Sequence, residues 1–207
     1  AHHAPEVESV VRPLKKSDLF ADATDETPVL FIACRLSAEK GVFDLAEIVA
    51  LAKKSLPSLK LVIAGSGPAE EELKLELPDA LFLGWVDKQT LASVYSGLDL
   101  FVFPSRFDTF GNVLLEAFAH GMPAVAFDCK GPRDIIEHNL NGYLAGDTHD
   151  MAALIIRHFQ KRENHSAMRA AARLRAAYYA PDRIMTQYVE DLGLPAPVCV
   201  LEQRSAA

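Results

Sequence analysis

Cations and glycines follow the first two of a series of short apolar segments in this sequence. Arg35 and Lys40 lie in the first of these loops, which Gly41 closes. Two cations beside the amide groups of a helix N-terminus can bind a diphosphate, because the helix dipole and charge-assisted hydrogen bonds both favour negative charge. In the second loop, Gly65 and Gly67 allow close approach of a ligand. Each loop alone is also compatible with solvated charge or simple turn geometry.

Two acidic residues, Asp108 and Glu116, follow the fourth apolar segment. Asp108 is predicted to cap the next helix, which leaves the amides near Gly111 and Asn112 facing an anion. Eight helical positions correspond to about 12 Å of rise and an offset of about 80°, so two carboxylates could flank a diphosphate. Carboxylates accept hydrogen bonds from vicinal hydroxyls, so Asp108 could hold a sugar and Glu116 a ribose. Plain capping and an exposed glutamate remain an equal alternative.

These residues can act together only if the fold brings the loops that carry them to the same edge of a sheet. Apolar runs alternate with amphipathic segments from residue 29 onward, which predicts βα units and an α/β fold with a parallel sheet of about six strands and helices on both faces. Ligands of such sheets bind beyond the carboxyl ends of the strands. Predicted strands cover residues 29–34, 59–64, 80–83, 100–103, 124–127 and 142–144. Predicted helices cover residues 42–55, 69–77, 88–96, 110–120, 151–161, 165–179 and 182–192.

The composition predicts one soluble globular domain. The 207 residues are 50% hydrophobic and 24% charged, and the formal net charge of -7 argues against a general nucleic-acid binder. Three widely spaced cysteines, at positions 34, 129 and 199, suggest neither a disulfide framework nor a zinc site. No apolar run approaches the roughly 20 residues that span a bilayer, and no secretory signal is visible. We therefore predict a cytoplasmic location and no metal or cofactor.

Taken together, five motifs resemble the C-terminal domain of family 4, group 1 glycosyltransferases. The resemblance covers roughly residues 28–192, and the combination is far more specific than any single motif. It predicts a lead-in or interdomain segment over residues 1–27, a Rossmann-like domain over 28–192 and a tail over 193–207. The motifs are residues 35–41, 65–68 and 84–86, the pair Asp108 and Glu116, and residues 131–132.

The resemblance implies one half of a GT-B type two-domain enzyme and a site for a nucleotide diphosphate sugar. The reaction implied is transfer of a hexosyl group with retention, from a UDP- or GDP-sugar to an acceptor held by an N-terminal domain. Arg35 and Lys40 would bind the donor diphosphate, and Asp108 and Glu116 would contact the donor sugar and the ribose. The other implied donor-binding residues are Gly41, Gly65, Gly67, Trp85, Val86, Phe110, Gly111, Asn112, Val113, Gly131 and Pro132.

Two features depart from the family pattern. The first acid is Asp108, where the family commonly has glutamate, and none of the seven histidines matches the histidine that the family places near its reaction centre. The resemblance therefore implies that the acceptor domain is missing and that this fragment is inactive alone.

A solvated helical face is predicted from the spacing of Arg162, Arg169 and Arg173, with a peripheral membrane contact as the alternative.

Two other functions stay open on the sequence. The chain could be a non-catalytic nucleotide-binding module, or a sugar-nucleotide epimerase on the same architecture. Measuring transfer activity after replacement of either acid in the complete protein tests the first alternative. Analysis of the reaction products tests the second.

Overall fold

Six short strands form a parallel sheet in this computed structural model, which describes residues 11–107 and 111–180. The strands are Val29–Ala33 (β1), Lys60–Ala64 (β2), Leu81–Gly84 (β3), Leu100–Phe103 (β4), Ala124–Phe127 (β5) and Gly142–Ala145 (β6). Their order across the sheet is β3-β2-β1-β4-β5-β6. The order reverses between β1 and β4, and ligands of such sheets bind in the crevice at the carboxyl ends of the strands at this point.

Helices cover both faces of the sheet. The described helices are Lys16–Leu19 (α1), Asp44–Lys53 (α2), Glu70–Glu76 (α3), Lys88–Gly97 (α4), Asn112–Ala119 (α5), Pro132–Ile135 (α6), Thr148–Gln160 (α7) and His165–Tyr178 (α8). Leu30 and Ile32 of β1 belong to the core cluster under α2, α3 and α7, whereas Phe31 and Ala33 belong to the cluster under α4, α5 and α8. Successive strand side chains point to opposite faces, so both faces need apolar residues. The predicted Rossmann-like α/β fold is therefore confirmed.

Strand ends agree with the sequence predictions more closely than helix ends do. β4 and β5 have the predicted bounds, and the other strands differ by one residue at one or both ends. α4 has Asp87 as its N-cap residue, whose carboxylate accepts from the Thr90 amide at 2.7 Å. α7 begins three residues earlier than predicted because Asp147 caps it by accepting from the Asp150 amide at 2.8 Å. No helix in the described part of the chain is long and apolar enough to cross a bilayer.

The helix predicted over residues 110–120 begins instead at Asn112, and its N-cap residue is Gly111. Gly111 has φ 86°, a left-handed conformation that glycine adopts readily. The helix therefore does not extend back through Gly111, and the spacing between Asp108 and Glu116 stays a prediction. Asp108 and Phe110 lie outside the described residues, as do the predicted helix 182–192 and the tail 193–207.

A segment ahead of β1 packs against the amino edge of the sheet. Lys16 of α1 is buried, and its ammonium group contacts the Asp99 carboxylate at 2.7 Å and donates to the carbonyl of Thr27 at 2.8 Å. Asp99 also accepts from the amide of Val29, the first residue of β1, at 2.9 Å. The sequence predicted no element here. The contacts attach the segment to the edge of the sheet opposite the predicted ligand site.

His158 of α7 is buried against β6. Its Nδ1 lies 3.2 Å from the hydroxyl of Tyr143, and its ring stacks on His165 at 3.9 Å between centroids. Burial, followed by the positive charges of His165 and nearby arginines, lowers the pKa of His158 from 6.5 to about 3. A neutral imidazole is therefore built into the core.

We expect the free energy of unfolding to decrease on acidification, and His158 to account for the change. Because the folded pKa lies below the unfolded value of 6.5, the stabilisation is present above that value and is lost as the pH falls toward about 3. One pKa unit is worth about 1.4 kcal/mol, so about 2 kcal/mol is lost between about pH 7 and about pH 5. Urea denaturation at the two pH values measures it. His158→Phe should remove most of the difference, and an unchanged difference in that variant would contradict the assignment.

Candidate functional site

A cavity of about 330 Å³ lies between the carboxyl ends of β1 to β3 and the helices α4 and α5. Loops after three neighbouring strands and the first turns of α5 converge there because all the strands run in the same direction. Among the residues that the structure describes, the lining combines an apolar wall with one cation and one carboxylate, which is typical of a small-molecule site. Six residues predicted from the sequence line it: Arg35, Gly65, Trp85, Val86, Val113 and Glu116.

The loop after β1 brings the predicted cations to this edge. Arg35 is exposed and lines the cavity, whereas Lys40 lies in a 3₁₀ turn, Ala38–Lys40, and is half-exposed. Burial raises the pKa of the neighbouring Cys34 thiol to about 12, and the positive charge of Lys40 opposes this shift. The field of Lys40 thus acts at a residue of the cavity wall, although Lys40 does not line the cavity itself.

The glycines of the β1 and β2 loops serve close backbone packing. A Cβ atom at Gly65, where φ is 115°, would collide with the carbonyl oxygen of Cys34, and one at Gly67 would collide with that of Leu36. Gly41 likewise has φ 66° and no room for a Cβ atom beside the carbonyl oxygen of Pro104. All three glycines are thus required for close backbone packing, and Gly65 also lines the cavity, while their role in donor binding stays a prediction.

The loop after β3 supplies the apolar rim. Trp85 is 79% exposed and Val86 is half-buried, and both line the cavity. Gly84 precedes them with φ 65°, so the chain turns sharply at the end of the strand. A large exposed indole at a cavity rim can stack against a flat ring, which gives this rim the chemistry of a base-binding surface.

α5 forms the opposite wall and carries the predicted acid. Glu116 and Val113 line the cavity, and Glu116 is exposed. Gly111 and Asn112 lie at the start of the helix and are not among the residues that line the cavity. The partner acid Asp108 lies outside the described residues, so the arrangement of the two acids stays a prediction.

Gly131 and Pro132 do not line the cavity. Both are buried after β5, where Gly131 has φ 93° and Pro132 begins the one-turn helix α6. Ile135 of α6 would be 3.6 Å from a Cβ atom at Gly111, so this turn packs beside the start of α5. Their implied role in donor binding stays a prediction.

Sequence reasoning missed Tyr95 of α4, which also lines the cavity. Its spacing within an amphipathic helix marks it only as a core residue.

Arg106 was also missed: its guanidinium lies 3.6 Å from the centroid of the Phe127 ring and 3.3 Å from the Asp44 carboxylate. A second cavity of about 190 Å³ adjoins Arg106 and Gly41. Only the three-dimensional packing reveals either residue.

The fold and the cavity define a doubly wound α/β domain with a candidate small-ligand site at the carboxyl edge of its sheet. The model of the family "Glycosyl transferases group 1" matches residues 27–161. The chain therefore belongs to the group 1 glycosyltransferases, as the motif resemblance implied.

Two curated relatives are GDP-mannose-dependent alpha-mannosyltransferases. The chain is 40% identical over 110 residues to that of Corynebacterium glutamicum, covering 53% of this chain and 25% of the relative. It is 33% identical over 154 residues to that of Mycolicibacterium smegmatis, covering 70% of this chain and 40% of the relative. The chain thus spans between a quarter and two fifths of the length of these relatives.

Solved glycosyltransferases share the fold. The pneumococcal O-GlcNAc transferase GtfA, in complex with UDP and GlcNAc, superposes with a TM-score of 0.71 at 26% identity, over 88% of this chain and 38% of that chain. Sucrose-phosphate synthase of Thermosynechococcus elongatus has a TM-score of 0.72 at 23% identity, over 88% and 49% of the two chains. The second likeness concerns the fold alone.

Proposed function

We propose that this chain is the donor-binding domain of a retaining glycosyltransferase that transfers a hexosyl group from a nucleotide diphosphate sugar. One observation carries the proposal: Arg35, Glu116 and the Trp85 rim line a single cavity at the carboxyl edge of the sheet. A nucleoside diphosphate needs a cation for its phosphates, an acceptor for its ribose hydroxyls and an apolar surface for its base. The cavity offers one of each.

Charge stabilisation would provide the catalysis. As the bond to the transferred sugar breaks, negative charge grows on the leaving diphosphate, and Arg35 with Lys40 would stabilise it as fixed donors. The amides at the start of α5, near Gly111, would add to this field. Among the described residues, no group of His, Cys, Asp and Glu is arranged to hold a metal ion. Metal-independent transfer is part of the proposal.

Other parts of the reaction depend on residues and domains beyond the described site. We propose that Asp108 holds the transferred sugar and that an N-terminal domain of the same protein binds the acceptor.

Arg162 pairs with Glu26, and Arg169 donates to the carbonyls of Leu98 and Ser96. Two of the three arginines are thus engaged within the domain, and peripheral membrane contact stays a prediction without structural support.

The donor base is proposed to be guanine. Two relatives are named for GDP-mannose, and the family model that this chain matches spans the loops after β1 to β5. GDP should therefore stabilise this chain more than UDP or ADP does.

A thermal-shift series with GDP, UDP, ADP and pyrophosphate tests the proposal on this chain. Ligand at about 100 times its Kd adds about 2.7 kcal/mol of stability. In a domain of this size, that raises the melting temperature by about 5–10 °C. Pyrophosphate controls for binding through phosphate charge alone and should give a smaller shift. An unchanged melting temperature with all three nucleotides would overturn the proposed function, and a largest shift with UDP would overturn the choice of base.

A further inference from the structure

Tyr95 is fixed in the floor of the cavity by three aromatic neighbours. Its ring packs edge-on against Phe31 and Phe101, at 5.4 and 5.7 Å between centroids, and stacks on His120 at 5.9 Å. The side chain is 1% exposed. The position of its hydroxyl group is therefore set by the core, and the group cannot turn toward solvent.

The Tyr95 hydroxyl is buried and has no hydrogen-bond partner among the described residues. Nearly all buried polar side-chain atoms in proteins are hydrogen-bonded, and leaving one unpaired costs free energy. An apolar phenylalanine would fill the same space without that cost. The hydroxyl thus destabilises the unliganded domain, which indicates a partner that is present only in another state.

A matching acceptor lines the same cavity. The Glu116 carboxylate is exposed and has no hydrogen-bond or ion-pair partner among the residues that the structure describes. Burial raises the pKa of Tyr95, and the negative charge of Glu116 raises it further. The carboxylate is therefore close enough for its field to reach the phenol. One group lacks an acceptor and the other lacks a donor.

We propose that Tyr95 is a positioning residue for Glu116. When a nucleoside diphosphate binds, Glu116 turns inward, accepts the Tyr95 proton in a hydrogen bond with one carboxylate oxygen, and accepts from a ribose hydroxyl with the other. The inference rests on the proposed function. A carboxylate held by a fixed donor loses less freedom on binding than one that moves freely in solvent.

A double-mutant cycle separates this role from a structural one. Isothermal titration calorimetry with GDP and UDP would compare the wild-type chain with Tyr95→Phe, Glu116→Ala and the double variant. Loss of one hydrogen bond to a charged group corresponds to about tenfold weaker binding, which we expect for Tyr95→Phe. In the Glu116→Ala background, the same change should have no further effect, because the acceptor is gone.

Tyr143→Phe is the matched control. The Tyr143 hydroxyl contacts Nδ1 of the buried His158 at 3.2 Å and lies outside the cavity. This variant should lower the melting temperature of the unliganded chain by about 2–4 °C and leave the Kd unchanged. Tyr95→Phe should do the reverse, with an equal or higher melting temperature and weaker binding.

Three outcomes overturn the proposal, and they differ from one another. Unchanged binding by Tyr95→Phe, with a wild-type chain that binds nucleotide, removes any role for the hydroxyl and leaves the proposed function intact. An equal loss in both backgrounds means that Tyr95 acts independently of Glu116. A wild-type chain that binds neither GDP nor UDP overturns this proposal together with the proposed function.

Discussion

Replacing Arg35 with alanine is expected to weaken GDP binding by at least about tenfold, since hydrogen bonds to charged groups contribute about 1.5–3 kcal/mol each. Arg35 is exposed at the end of β1 and is the cation that lines the cavity. A guanidinium donates to two phosphate oxygens at once, which a small neutral side chain cannot replace. Because the side chain is exposed, its removal should leave the melting temperature of the unliganded chain unchanged.

Arg12→Ala is the matched control for this prediction. Arg12 is also exposed, but it precedes α1 in the segment that packs at the opposite edge of the sheet. Isothermal titration calorimetry of both variants at one salt concentration would give the two Kd values. Equal affinities for Arg35→Ala and Arg12→Ala would show that Arg35 does not bind the ligand and would remove the cation from the proposed site.

Replacing Lys16 with methionine is expected to destabilise the domain by about 3 kcal/mol, because removal of one partner leaves a buried charge uncompensated. The ammonium group lies 2.7 Å from Asp99 and donates to the carbonyls of Asp25 and Thr27, each at 2.8 Å. The substitution would remove all three contacts while keeping an apolar chain of similar length. A loss of this size corresponds to about 6–12 °C in melting temperature.

Lys15→Met provides the comparison within the same helix turn. Lys15 is exposed, and its hydrogen bond to Asp18 comes from the backbone amide, so the substitution leaves that bond in place. Urea denaturation should detect a change of less than about 0.5 kcal/mol, as is usual for surface sites. If Lys16→Met were as stable as Lys15→Met, the segment ahead of β1 would not be part of the cooperative fold.

The strands and the sheet could be predicted from the sequence because their signal is local. β1 and β4 are buried at every position, which requires continuous apolar runs, and such runs are visible in single segments of the chain. The alternation of strands and helices then restricts the topology, since parallel strands need helical crossovers. The site residues that lie directly after strands, such as Arg35 and Gly65, followed from this rule.

Features that depend on several segments at once could not be predicted. Nothing in the sequence distinguishes Lys16 from the other lysines. Its burial is possible only because the fold brings the carboxylate of Asp99, 83 residues later in the chain, into contact with it. Tyr95 has the spacing of an ordinary core residue, and its unpaired hydroxyl becomes visible only when α4 packs beside the β1 loop. The start of α5 at Asn112, later in the chain than predicted, could not be predicted for a different reason. The residue type alone does not determine the backbone conformation of Gly111.

The most direct test of the central claim is an NMR titration of the ¹⁵N-labelled chain with GDP. Trp85 is the single tryptophan of the sequence and lies at the cavity rim, so its indole N–H gives one unambiguous signal. We expect that signal to move, together with the backbone amides of Gly65 and Val86, while the amides of Leu14 and Lys16 at the opposite edge stay in place. Shifts confined to that opposite edge, or no shifts at saturating GDP and UDP, would contradict a nucleotide site in this cavity.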